Sequence, residues 1–173
     1  MMEWKIIQPE ELNWNPFITI GREWILVSAG NESGRNLMTA SWGGLGVFWG
    51  KNAATIYIRQ NRYTKEFIDK EGKFTLSLMG PEYRKALAFC GSVTGRGRDK
   101  FKEAGLTPMD IDGSTAPSEA RTILVCRSMY SAVMTPDHFL DPDAQKQWYD
   151  GKTRNSDTFH TQYIAEIEKI LTK

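Results

Sequence analysis

An apolar run that stops abruptly in small residues and glycine constrains this chain most: Asn36-Leu37-Met38-Thr39-Ala40-Ser41-Trp42-Gly43-Gly44. It reads as a short strand that breaks into bare backbone, where a flat ligand can lie against main-chain N–H and C=O groups. After a short gap, Tyr57-Ile58-Arg59-Gln60-Asn61-Arg62-Tyr63-Thr64 ends a second apolar strand in two arginines, an asparagine and a threonine. Those are donors suited to a phosphate.

Most of the remaining chain is β-type. Trp24 to Ala29 and Leu37 to Trp42 flank the turn-rich Gly30-Asn31-Glu32-Ser33-Gly34, which predicts a hairpin. Ala53 to Arg59 carries Ile56-Tyr57-Ile58, and Lys73 to Met79 alternates Phe74, Leu76 and Leu78; both read as barrel strands. Thr122 to Met134 is long and β-rich, and Thr161 to Leu171 has the period-2 stretches that close a barrel.

Helical spacing is confined to short segments. Tyr63 to Lys70 offers Thr64 as an N-cap and Phe67-Ile68 as an inward face, with its N-terminus aimed at whatever binds Arg62 and Thr64. Pro81 to Phe89 starts on a proline and puts Tyr83, Ala86, Leu87 and Cys90 on one side, leading into the Gly91–Gly97 loop. Asp141 to Tyr149 reads as one more short helix. With no repeat, low-complexity tract or linker, the expectation is a mainly β fold, a closed or partly open barrel with three or four short helices.

At 173 residues and 40% apolar content, the chain fits a single domain over 1–173. A net charge of +1 from 22 basic and 21 acidic residues gives nothing for nucleic acid or an anionic membrane to attract. A ligand's charge must then be met locally. The N-terminus lacks a signal-peptide pattern and no apolar run approaches the ~20 residues of a membrane span, so a soluble, cytoplasmic protein is expected. Cys90 and Cys126 open no CxxC and suggest reduced structural thiols, with neither a disulfide framework nor a metal site.

Four segments together carry a resemblance. NLMTASWGG at 36–44, YIRQNRYTKEFI at 57–68, CGSVTGRGRDKF at 90–101 and FHTQYIAEIE at 159–168 resemble, in that order, the flavin reductase-like FMN-binding split-barrel proteins, particularly the flavoredoxin branch. The resemblance implies an antiparallel split β-barrel of Greek-key type and a homodimer with FMN at the subunit interface. Asn36, Met38, Thr39, Ala40, Ser41 and Trp42 match the family's N-x-M-T-x-S-W segment, which meets the ring edge. Arg62, Thr64 and Ser41 are the phosphate donors, aided by the helix start near Thr64, with Arg59, Asn61 and Tyr63 beside them. Asp99-Lys100-Phe101 matches a D-K-F element whose lysine lies close to the flavin, so Lys100 is the expected cation near ring or phosphate. His160 takes the place of the histidine in the family's His-x-x-Tyr-Ile tail and borders the cofactor from either subunit. Gly97 and Arg98 depart from the family's acidic and apolar residues, a difference that bears on substrate access more than on FMN. The glycines at 43, 44, 46, 95 and 97 keep side chains clear and so leave one flavin face open.

Other residues have plainer readings. Arginines at a strand end are usually solvated, and Trp4, Trp14, Trp24, Trp49 and Trp148 read as packing. Gly91-Ser-Val-Thr-Gly-Arg-Gly97 fits neither GxGxxG nor GxxxxGK-[ST], which removes the Rossmann and P-loop mechanisms. His138 and Asp137 lack a nucleophile motif and take no role.

No catalytic acid or base is required, because hydride transfer is the cofactor's chemistry and the protein aligns donor and acceptor. The expected function is an NAD(P)H-dependent flavin reductase type of oxidoreductase. The nicotinamide binds transiently, and electrons pass to an acceptor the sequence does not name. The alternatives are a flavoredoxin-type carrier with tightly held FMN and a non-catalytic split-barrel binding protein.

Overall fold

The computed structural model describes residues 3–153 and 156–173; Met1 and Met2, part of the stretch read for a leader, lie outside it. Among the described residues an antiparallel sheet carries the fold. Its order is β3 (Gly34–Ala40), β2 (Ile25–Asn31), β6 (Lys73–Leu78), β9 (Thr122–Val133), β10 (His160–Thr172), β5 (Lys51–Arg59) and β4 (Gly43–Phe48). Strand β1 (Lys5–Ile7) pairs with the far end of β10.

The two ends of that order are consecutive in the chain. Strands β3 and β4 are joined by Ser41 and Trp42 alone, and three Cα steps reach no further than about 11 Å. The sheet therefore has to curl until its edges meet. Because β3 and β4 are not hydrogen-bonded to each other, the barrel stays open along that seam. This is the expected mainly β, antiparallel split barrel with short helices; β6 returns to β2 and β10 returns to β5, the long-range pairing of a Greek-key arrangement.

The predicted hairpin forms, with Glu32-Ser33 in the turn and the Ser33 N–H donating to Asn31 Oδ1 at 2.9 Å. Gly30 sits at φ +98°, and a Cβ there would run into the Gly34 carbonyl oxygen. The strand begins at Ile25 because Trp24, at the end of a π-helical turn over Thr19–Glu23, has φ 70° and lies under the Arg84 guanidinium at 3.3 Å. Strand β3 stops at Ala40, two residues short of the predicted end, because Ser41 and Trp42 cross the seam. Strand β4 and the hairpin of β7 (Pro108–Ile111) with β8 (Ser114–Pro117) are additions to the sequence reading.

Two apolar clusters flank the sheet. Ile25, Val27, Ile56, Ile58, Phe74, Leu76, Tyr163 and Ile170 belong to one; Leu26, Leu37, Leu87, Phe101, Ile123 and Val125 belong to the other. Alternate residues of β2 enter different clusters, so both its faces are buried, and it opens on the unbroken apolar Ile25-Leu26-Val27 with no polar-out alternation. Each fully buried Leu, Ile or Phe contributes about 1.5–3 kcal/mol.

Helix α1 (Tyr63–Glu71) ends on Gly72 in the left-handed region, with Ile68 buried and Phe67 packed against the barrel cluster. Its N-cap is Arg62, which corrects the assignment of Thr64; Thr64 is the second helical residue and fully buried. The helix expected over 81–89 splits into a 3-10 turn, Pro81–Tyr83, and α2 (Arg84–Ser92), since proline tightens the first turn. The short α3 (Lys100–Glu103) and α4 (Pro142–Trp148) are capped by Asp99 and Asp141. Cys90 and Cys126 are buried free thiols, and burial pushes Cys90 up to about 11 and Cys126 up as well. No described helix is long and apolar enough to cross a membrane.

Candidate functional site

A cleft of about 400 Å³ opens where the seam meets the ends of β5 and β10. Strand β3 and its two-residue crossing supply Met38 to Trp42, β5 supplies Tyr57 and Arg59, the cap of α1 supplies Arg62, and β10 supplies His160. The remaining wall is the excursion between β9 and β10, through Gln147, Trp148, Asp150, Thr153 and Ser156. Its two ends are held together by the Met134 N–H donating to the His160 carbonyl at 2.9 Å, so the excursion must fold back over this end of the barrel.

Eight of the thirteen residues expected from the sequence therefore share one cleft: Met38, Thr39, Ala40, Ser41, Trp42, Arg59, Arg62 and His160. They play different parts. Ser41 is exposed in the crossing, whereas the Thr39 hydroxyl donates to the Leu87 carbonyl at 2.5 Å and ties β3 to α2. Arg59 is 7% exposed and donates to the carbonyls of Thr158 and Trp148, with its guanidinium 4.9 Å from the Tyr149 ring centroid. Burial lowers its pKa from the ordinary arginine value. It acts as a strut for the excursion. Arg62 donates to the Gly91 carbonyl at 3.1 Å from the cleft rim.

The other five lie elsewhere. Asn36, Tyr63, Thr64 and Lys100 surround a gap of only about 10 Å³ next to the cleft, with Met38 and Arg62 on both walls. That volume suits one water molecule and no phosphate. The Asn36 carboxamide donates to Thr64 Oγ1 at 2.8 Å, and Lys100 Nζ donates to the carbonyls of Cys90 and Val93 at 2.7 and 3.1 Å. Thr64 and Lys100 thus anchor helix ends, an outcome of burial that motif spacing alone does not reveal. Tyr63 lies under the Arg96 guanidinium, and Asn61 pairs with Asp157. The glycines at 43, 44, 46, 95 and 97 do not line the cleft either; Gly95 packs against Asn36, where a Cβ would overlap the carboxamide.

Trp148 corrects its reading as packing. It is 44% exposed, lines the cleft and meets Trp42 edge to face at 4.9 Å between ring centroids. The His160 ring also lies 4.9 Å from Trp42, tilted by 41°. Burial, then the Arg59 and Arg62 guanidiniums, hold the His160 imidazole down to about 3, so it is neutral near pH 7. The sequence signal for the excursion was its aromatic density: Phe139, Tyr149 and Phe159 cluster, with Tyr149 and Phe159 stacked at 4.6 Å and 12°.

The cleft has the size of a small-molecule site. Its indoles, neutral imidazole, exposed serine hydroxyl and rim guanidinium fit a ligand with a flat ring and a polar or anionic tail.

The family model for the flavin reductase like domain matches residues 19–171. The fold is similar to an FMN-binding domain of a flavin reductases-like enzyme from Shewanella baltica OS155, at 18% identity and TM-score 0.67, over 98% of this chain and 77% of that one. It is similar to flavoredoxin of Desulfovibrio vulgaris (Miyazaki F), at 20% identity and TM-score 0.66, over 87% of this chain and 69% of that one. Nitrilotriacetate monooxygenase component B from Bacillus cereus matches at 14% identity and TM-score 0.64, over 98% and 80%. No curated protein matches the chain.

Proposed function

The chain belongs to the flavin reductase like domain family, and from that premise we propose that it is a single-domain FMN-binding oxidoreductase of the NAD(P)H-dependent flavin reductase type. The observation that carries this reading is the convergence of Met38–Trp42, Arg62 and His160, from three separated segments, on one cleft at the barrel seam. Arg62 and the Ser41 hydroxyl are the donors for the phosphate, His160 borders the ring, and Trp42 and Trp148 flank it. When bound, FMN supplies the hydride-accepting and electron-donating chemistry. The chain's residues orient it and keep water from one side, and a nicotinamide nucleotide binds transiently beside it.

One observation favours the electron-carrier alternative. Trp148 and the excursion close part of the cleft over Trp42, which limits the room for a nicotinamide. An exposed aromatic group of Phe48, Trp49 and Tyr130 by the β4 edge supports a homodimer, which light scattering reads as twice the 19.7 kDa chain mass.

Titration with FMN followed by desalting tests the central claim. Flavin absorbance retained at one equivalent per chain is expected; protein that stays colourless and leaves flavin fluorescence unquenched at micromolar FMN rejects it.

A further inference from the structure

The Tyr149 hydroxyl lies 2.6 Å from Nδ1 of His160, and among the described residues neither side chain makes another hydrogen bond. Two proton arrangements are available to such a pair. If Nδ1 carried the proton it would donate to the phenol oxygen, and the phenol O–H would be left without an acceptor in a half-buried place. If the phenol donates, its O–H and the ring's Nδ1 are both paired, and the Nε2–H that remains is left to the cleft His160 lines. A doubly protonated ring is disfavoured by burial and by Arg59 and Arg62. Asp150, the acidic side chain on the same cleft, already accepts from the Ser156 hydroxyl and the Lys152 N–H. Tyr149 itself is fixed, stacked on Phe159 and covered by the Arg59 guanidinium.

We propose that Tyr149 is a positioning residue: by donating to Nδ1 it holds His160 as the Nε2–H tautomer, so that His160 offers the cleft a neutral N–H donor. The ligand atom it selects is a hydrogen-bond acceptor, a carbonyl oxygen or an unprotonated ring nitrogen, and not a cation. The tautomer stands on the geometry of the pair; its use on the ring edge of a flavin rests on the FMN reading above.

The chain has two histidines, and His138 is well exposed, so long-range 1H–15N NMR of the ligand-free protein resolves each imidazole. Near pH 7, His160 should show a protonated Nε2 and a bare Nδ1. In Tyr149→Phe that pattern should move toward a tautomer mixture in a folded chain, and FMN affinity should fall about 3- to 10-fold, one ordinary hydrogen bond. A protonated Nδ1 in the wild-type protein overturns the proposal without any variant, as does an unchanged tautomer in Tyr149→Phe. Wild-type protein with the expected tautomer and no affinity for FMN would overturn the ligand assignment alone.

Discussion

The Asn36 carboxamide donates to Thr64 Oγ1 at 2.8 Å, joining β3 to the first turn of α1 where solvent does not reach. Two segments that look like separate motifs are therefore one hydrogen-bonded unit. Thr64→Val keeps the shape and removes the acceptor, leaving a buried amide donor unpaired at a cost of about 1–3 kcal/mol. Urea unfolding should show that loss with an unchanged slope; wild-type stability in the variant would mean that the bond does not hold the unit together.

Arg62, Lys100 and Arg127 separate binding from stability. Arg62→Ala should cost about 1.5–3 kcal/mol of FMN binding, roughly 10- to 150-fold in affinity, through a lost charge-assisted contact. Lys100→Met should lower stability first, because its ammonium satisfies the Cys90 and Val93 carbonyls at the end of α2. Arg127, engaged by Glu166 and Glu168 and absent from the cleft wall, should cost little affinity when changed to Ala. Flavin fluorescence quenching and urea unfolding on the three variants check this. Equal losses of affinity in folded proteins would contradict the placement of the site.

The same residues show how far the sequence could be read. Strands β5, β6, β9 and β10 were legible because β-branched and aromatic residues recur over lengths that leave little choice. Strand β4 was not: its Gly43, Gly44 and Gly46 carry no pattern, and as an edge strand it is mostly exposed. The prolines of β7 and β8 hid that hairpin in the same way. At the site, residue type indicated the cleft's own strand, but not that Lys100 and Thr64 turn inward, since burial depends on where α2 ends and where α1 begins. Trp148 was missed because a tryptophan in a short polar helix reads as packing until the antiparallel pairing of β9 with β10 folds that helix over the seam.

Acid should destabilise the protein through His160. Its folded pKa of about 3 lies below the ~6.5 of an unfolded histidine, so between those values the unfolded chain binds a proton that the folded chain does not. The contribution is complete above about pH 6.5 and is lost as pH falls toward 3. Urea unfolding at pH 7.5 and 5.0 should show wild-type protein losing about 1–2 kcal/mol more than His160→Gln, the carboxylates being common to both. Parallel losses would mean that His160 titrates normally.

Whether the protein reduces flavin from nicotinamide or only carries electrons turns on Trp148. Hydride transfer requires donor and acceptor within about 3–3.5 Å, and the Trp148 indole on the cleft wall lies 4.9 Å from Trp42 between ring centroids. That indole sits on a short helix whose end is tethered through the Arg59 contact to the Trp148 carbonyl at 3.0 Å, so the backbone can stay in place while the ring is removed. A reductase should bleach bound FMN under anaerobic NADH or NADPH with saturable kinetics and faster than free FMN reacts. Trp148→Ala should raise that rate if the indole restricts entry, and lower it if the indole forms part of the nicotinamide's platform. If dithionite bleaches the flavin while neither nicotinamide does so above background, in wild-type and Trp148→Ala protein alike, access is not the obstacle and the electron-carrier reading holds.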